Sequence, residues 1–472
     1  MAEPCAIGII GMAVMGQNLA LNIARKGFKV AVFNRTPAKT KEFYETRVKN
    51  EPIYPTYDLS EFVRALQRPR KVLLMVKAGK AVDEFIQALF PLLEEGDLVI
   101  DGGNSFFQDT DRRLKEAESR GILFLGMGIS GGEHGALYGP SLMPGGHRKG
   151  YELVQDILEK TAAQVADGPC CAYLGPGSCG HFVKMVHNGI EYAFMEAIAE
   201  IYDLLRKIFG LQAEAIADVF HRFNTLPSLN SYLVEITEKV LRYKDPETGK
   251  HLVDLILDAA EQKGTGKWTA QVALDLGIPL FTITHSVMTR SLSSFKNERM
   301  QIAQRIFSPA RTRSWSSDLF TLLADALYLT ELVAFSEGFH LLGEASRAFD
   351  YQLNLPEVAR IWKGGCILKA SLLERIQKAL SLCDAPLLFA TSEFQEEVGN
   401  KLSALRSVCA LGFEHGVPLP ALSSALAYLD AWRSVSLPAN LIQAQRDYFG
   451  AHTYRRIDKG GVFHTEWEVQ PR

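Results

Sequence analysis

Two kinds of hydrophobic spacing divide the chain. Through residues 1–177, short apolar runs (AIGIIGM, KVAVFNR, VLLMV, DLVIDGG and ILFLGMGIS) alternate with amphipathic stretches such as NLALNIARKG. Apolar runs of this length between helical patterns predict buried parallel strands in βαβ units, hence a Rossmann-like α/β domain. From residue 178 to 436 the spacing changes to long helical periodicity, which predicts a large all-α domain. Its two longest stretches, HFVKMVHNGIEYAFMEAIAEIYDLLRKIFG and SDLFTLLADALYLTELVAFSEGFHLLGEAS, begin about 140 residues apart and repeat small residues and Glu, a pattern that points to internal duplication. Residues 437–472 are less periodic and richer in aromatic and basic residues, and they read as a C-terminal tail that packs on another surface.

Composition narrows the function. With 51 Lys and Arg against 54 Asp and Glu, a net charge of -3 and 47% hydrophobic residues in 472, the chain is ordinary globular protein. No nucleic-acid partner is expected, although basic residues gathered in one pocket can still bind a small anion. The apolar N-terminus carries Glu3 and no basic region, so it does not read as a signal peptide. No run of about 18 uncharged apolar residues is present, so no membrane association is expected. Seven scattered cysteines fit a reducing, cytoplasmic setting rather than disulfide staples, and none has metal-finger spacing. Adjacent Cys170 and Cys171 read as a buried thiol pair. Cys179, at a helix start, is either a packing residue or an oxidation-sensitive thiol.

The first apolar run leads into Gly11, Met12, Ala13, Val14, Met15 and Gly16, a G-x-A-x-x-G turn between strand and helix. In that turn the first glycine allows a sharp bend, the small third residue admits a pyrophosphate, and the helix N-terminus faces its charge. The motif alone is weak. The next strand adds weight, ending about twenty residues later at Asn34, Arg35 and Thr36, where NAD enzymes usually carry an acid for the ribose hydroxyl. A neutral Asn34 followed by a guanidinium favours the 2'-phosphate of NADP over NAD, unless Arg35 is merely solvated. Two more strand ends, at Val76, Lys77 and Ala78 and at Asn104, fall on the edge where open sheets bind ligands.

A second constellation lies on the first long helix. Lys184, His187, Asn188, Glu191 and Tyr192 follow i, i+3, i+4, i+7, i+8 spacing, which places them on one face. Lys184 and Glu191 are then about 10.5 Å apart along the axis, room for one small substrate. Most polar helix faces are solvated, but those favour Lys, Glu and Arg, whereas this one mixes single charges with His, Asn and Tyr. Gly189 in mid-helix costs about 1 kcal/mol unless something packs closely there. A lysine serves as a general base only if burial or nearby cations lower its pKa, and Glu191 is then the complementary acid. His187 and Glu191 could instead ligate a metal, but no third ligand and no H-E-x-x-H pattern accompanies them, so no metal is expected.

With these motifs in place, the chain closely resembles the 6-phosphogluconate dehydrogenases over essentially its whole length. The resemblance rests on GMAVMGQNLALN (11–22), NRT (34–36), IDGGNS (100–105), GISGGEHGALYGPSLMPGG (128–146), KMVHNGIEY (184–192), KGTGKWT (263–269) and RDYFGAHTYRR (446–456). It implies NADP-dependent oxidative decarboxylation of 6-phosphogluconate to ribulose 5-phosphate without a metal, with Lys184 taking the 3-hydroxyl proton and Glu191 protonating C1. It further implies that Asn104, Ser130, Gly131, Gly132, His187 and Asn188 hold the carboxylate and hydroxyls. Tyr192, Lys263, Thr265, Arg290 and the tail residues Arg446 and His452 would hold the phosphate. The same resemblance implies a homodimer whose tails reach into the partner's site. The chain departs from the common family pattern at Glu133-His134 and at Ala193-Phe194-Met195. Two other readings remain at this stage: a dehydrogenase of another β-hydroxyacid, and a non-catalytic NADP-binding sensor.

Overall fold

The structure is a computed structural model that describes residues 3–306, 312–382 and 387–468. Cys383 lies outside the described residues, and the other six cysteines are free and buried. The chain separates into two compact units, Met1–Ala425 and Leu426–Arg472.

The first unit opens with a Rossmann-like sheet. Its strands are β1 (Ile7–Ile10), β2 (Val30–Phe33), β3 (Ile53–Pro55), β4 (Lys71–Leu74), β5 (Leu98–Asp101), β6 (Leu123–Ser130) and β7 (Ser141–Gly146), ordered 3-2-1-4-5-6-7. All neighbours pair parallel except β7, which runs antiparallel along β6. The continuous apolar runs arise because both faces are covered. Ile7 and Ile9 enter one core cluster, and Ile10 enters the other. β3 and β7 are absent from the apolar pattern for visible reasons. β3 spans three residues and exposes Tyr54, whereas β7 reads SLMPGG, a composition that only an edge position tolerates.

Helices dominate the rest of this unit. Cys179–Lys207 and Ser317–Ala348 are the two long ones, and they pack against each other. Their likeness extends to detail. The carboxylate of Glu200 accepts from the backbone N–H groups of Ala421 and Leu422 at the start of one helix. The carboxylate of Glu337, one long helix later, accepts from those of Thr282 and Ile283 at the start of another. Each capped helix follows a matching turn, Gly277-Ile278-Pro279-Leu280 in one case and Gly416-Val417-Pro418-Leu419 in the other, with the glycines at φ of 70° and 69°. The spacing that hinted at duplication therefore extends to the capping contacts.

By length and composition the helix Ser317–Ala348 is apolar enough to cross a membrane, although Asp325 and Glu331 interrupt its apolar run. The apolar window is 83% buried inside the protein, so these side chains already have protein neighbours. The second unit contains the helix Ala439–Gly450, which the weak periodicity did not reveal, and a bridge between Tyr454 and Phe463. Asp447, fully buried, ties these together by accepting from Thr453 N, Thr465 N and Trp467 Nε1.

Candidate active site

At the sheet's carboxyl edge, the turn after β1 is shaped by backbone proximity. Gly11 has φ of 107°, and a Cβ there would lie 2.3 Å from the carbonyl oxygen of Met75. Ala13 caps the helix Val14–Arg25, whose first turn has no acid to oppose an anion. Asn34, at the end of β2, reaches back so that its side-chain oxygen accepts from Met12 N at 3.0 Å. The asparagine therefore braces the glycine turn, a role its position in sequence did not reveal. Arg35 projects outward with its side chain 74% exposed and meets the Glu84 carboxylate at 3.1 Å. Lys80 reaches the same carboxylate at 3.5 Å. Exposed pairs of this kind contribute at most about 1 kcal/mol, so Arg35 is free to take a stronger anion. This geometry fits a dinucleotide with a 2'-phosphate.

Loops after β4 and β5 close the same edge. Lys77 and Asn104 stay exposed. A buried residue that the sequence did not single out fixes both loops: Arg113 pairs with Asp101 at 3.2 Å and Asp83 at 2.8 Å, and donates to the Gly79 carbonyl. The only hint in sequence is Asp101 at the start of DGGNS.

The polar helix face is buried. Lys184 is 6% exposed and His187 is fully enclosed. The helix sits this deep because glycines remove the obstacles. A Cβ on Gly128 of β6 would come within 2.4 Å of Lys184 Cβ, and one on Gly180 would strike the Gly126 carbonyl. Gly189, the anomaly in mid-helix, faces Thr269, whose side chain a Cβ would meet at 2.7 Å. Thr269 also donates to the Met185 carbonyl, which locks the helix Thr265–Leu276 against this one.

One hydrogen-bonded cluster results. His187 Nε2 lies 3.2 Å from Ser130 Oγ, and its Nδ1 lies 3.4 Å from Lys184 Nζ and 3.2 Å from Asn188 Oδ1. Those last two partners call for opposite tautomers: a charged lysine donates to Nδ1, whereas the amide oxygen needs a proton there. Asn188 donates to Thr265 Oγ at 3.1 Å, and Glu191 approaches His187 Nδ1 at 3.7 Å. Beside them, the Arg290 guanidinium lies 3.6 Å from the centre of the Tyr192 ring. Gly131, at φ of 111°, turns the chain after Ser130, and Gly132 opens the following helix. Thus Ser130, Lys184, His187, Asn188, Glu191 and Thr265 converge, with Tyr192 and Arg290 adjoining. Lys263 remains on the surface. Arg446 and His452 are exposed in the second unit, Arg446 donating to Gln443 at 3.0 Å.

Burial sets the electrostatics. Desolvation pushes Lys184 below the ordinary lysine range, against the opposing pull of Glu191. It pushes Glu191 above the usual carboxylate range, against Lys184 and Arg290. His187 falls well below the usual imidazole range, through burial and then through Lys184. A lysine eased toward its neutral form beside a carboxyl eased toward its protonated form is an acid–base pair. Cys179 behaves otherwise: it is fully buried and burial raises its thiol pKa, so it is a packing residue and not a sensitive thiol. No group of three or more His, Cys, Asp or Glu among the described residues has the placement to hold a metal ion.

Residues 180–467 match the family model described as 6-phosphogluconate dehydrogenase, C-terminal domain, and residues 6–175 match the NAD binding domain of 6-phosphogluconate dehydrogenase. The chain belongs to the 6-phosphogluconate dehydrogenase family. A decarboxylating 6-phosphogluconate dehydrogenase of Synechococcus elongatus is 51% identical over 466 residues, 98% of each chain. An NADP(+)-dependent, decarboxylating member of the family from Bacillus subtilis is 49% identical over 464 residues, again 98% of each. Among solved structures, the Plasmodium falciparum 6-phosphogluconate dehydrogenase, described in apo form and with NADP+ or 6-phosphogluconate, superposes with a TM-score of 0.93. It is 44% identical and the match covers 98% of this chain and 100% of that one.

Proposed function

We propose that this chain oxidises and decarboxylates 6-phospho-D-gluconate, using NADP, to give D-ribulose 5-phosphate, CO2 and NADPH in the cytoplasm. The observation that carries the reading is the Lys184–His187–Glu191 cluster, its lysine and histidine enclosed and its glutamate partly buried, with the Arg290–Tyr192 stack beside it. It couples an acid–base pair to a cation suited to a phosphate.

NADP, when bound, accepts the hydride from C3 of the substrate. Gly11 to Gly16 receive its pyrophosphate, Arg35 and Asn34 with Thr36 meet the adenosine phosphate, and Val76, Lys77, Ala78 and Asn104 border the remainder. Lys184, neutral, removes the 3-hydroxyl proton, and His187 Nδ1 is placed to accept a hydrogen bond from the ammonium so formed. Ser130, Gly131 and Gly132, with Asn104, His187 and Asn188, orient the carboxylate and hydroxyls. The 3-keto acid then loses CO2, because its carbonyl takes up the electron pair of the breaking bond. Glu191, protonated, delivers its proton to C1 of the resulting enediol, and the product keto sugar follows. Tyr192, Lys263, Thr265 and Arg290 gather the phosphate.

Arg446 and His452 complete the phosphate pocket from a partner subunit in this reading. Exposed apolar residues including Met288, Leu292 and Phe295 on one unit, and Leu441, Ile442 and Phe449 on the other, supply surface for a homodimer. The test is an assay of purified protein with 6-phosphogluconate and NADP or NAD, following absorbance at about 340 nm together with CO2, with and without a chelator. Equal yields of NADPH and CO2 that survive the chelator are expected. Reduction without CO2 would transfer the protein to β-hydroxyacid oxidation, and binding of NADP without turnover would make it a sensor.

A further inference from the structure

Arg290 meets the helix Cys179–Lys207 along a single turn. Its guanidinium covers the Tyr192 ring at 3.6 Å, and its Nη2 lies 3.8 Å from Met195 Sδ. Glu196, one helical turn beyond Tyr192, occupies the same face and is only partly exposed. The neighbouring acids have other partners: Glu191 faces Lys184 and His187 first and feels Arg290 only after Lys184, and Glu200 caps the helix beginning at Pro420. Glu196, next in sequence to Met195 and one turn from Tyr192, is therefore the acid of this face with no such assignment; it feels the Arg290 charge without closing an ion pair with it.

We propose that Glu196 is a specificity-determining residue of the phosphate pocket, sharing Arg290 with the incoming phosphate and favouring the dianion only when its own carboxyl is neutral. This rests on the reading of Arg290 as a phosphate ligand. Two negative groups cannot both draw on one guanidinium in a half-buried site without repulsion, so the ester binds best when the carboxyl carries a proton. The surroundings make that exchange accessible. Burial lifts Glu196 to about 7, with Arg290 opposing. Arg290 from the helix Phe281–Ser293 and Glu200 one turn along its own helix are the charged groups that face it, and the charge of Glu196 in turn bears on Glu200. Binding of the phosphate then draws a proton onto Glu196, and affinity falls as pH rises through its titration.

Calorimetry of 6-phosphogluconate binding to the intact enzyme near pH 7.5, in two buffers of different ionisation enthalpy, counts that proton. The wild type is expected to take up a substantial fraction of one proton that Glu196→Gln no longer takes up. Between about pH 6.5 and 8.5 the substrate KM of the wild type should rise about tenfold more than that of Glu196→Gln, while the KM for NADP follows the same course in both. Glu196→Ala, neutral but smaller, should reproduce the flattened profile and so separate charge from packing. Identical proton counts and KM profiles in wild type and Glu196→Gln would overturn the assignment while leaving the dehydrogenase reading intact. A wild type that neither binds nor oxidises 6-phosphogluconate would overturn both.

Discussion

The cofactor edge of the sheet and the face of the long helix use charge in opposite ways. At the edge, Arg35 and Lys80 share Glu84 in open solvent, where each pair is weak and readily exchanged. On the helix, Lys184 and His187 are enclosed and Glu191 is partly buried beside them, and desolvation moves all three away from their usual titration ranges. The first arrangement suits recognition of a charged ligand that must also leave. The second suits proton transfer, because only a desolvated lysine is neutral often enough to act as a base. One sheet edge and one helix thus divide binding from chemistry by depth.

The largest effect is expected at the buried end. Lys184→Ala should lower kcat by about a thousandfold, within the range for loss of a general base, while NADPH binding followed by fluorescence persists. Substantial oxidation by that variant would place the base elsewhere. Glu191→Gln should cost about a hundredfold and leave the oxidation step faster than overall turnover; rapid-quench measurement of the keto acid would reveal it. The pH profile sharpens the same point. Lys184, lowered by burial, must lose its proton, so activity rises with pH through its titration. Glu191, raised by burial, must keep its proton, so activity falls as pH passes its titration. A bell follows, and Glu191→Gln should remove the alkaline fall.

At the exposed end the effects are smaller. Arg35→Glu should weaken NADP by about tenfold to a hundredfold, in line with loss of a charged hydrogen bond, and NAD much less. Equal losses for both cofactors would end the assignment of Arg35 to the 2'-phosphate. Glu84→Gln should do the reverse on a modest scale, tightening NADP by about fivefold or less, as expected for release of an exposed pair. A change in kcat from Glu84→Gln would blur the division between binding and chemistry.

Much of the site could be read from spacing. The polar face of KMVHNGIEY needed only helical periodicity, and the glycine turn needed only its strand and helix neighbours. Asn34 was read as a neutral place-holder, yet its oxygen braces Met12 N across 22 residues of sequence. Arg113 was missed altogether, because its partners Asp83, Gly79 and Asp101 lie on separate loops. β3 and β7 escaped because short or Pro- and Gly-bearing edge strands have no apolar period.

Local order along the chain was enough to determine the alternation of strands and helices, the placement of the glycine turn, and which residue types share the polar face of the long helix. Those features depend on neighbours a few positions apart, which periodicity records directly. Only the tertiary structure decided that the face is buried rather than solvated. That outcome depends on Gly128, Gly180 and Gly189 admitting β6 and a second helix to close range, and on the desolvation that follows. The unusual residue mix of the face argued against simple solvation, but burial itself depends on what packs from afar, which periodicity does not record.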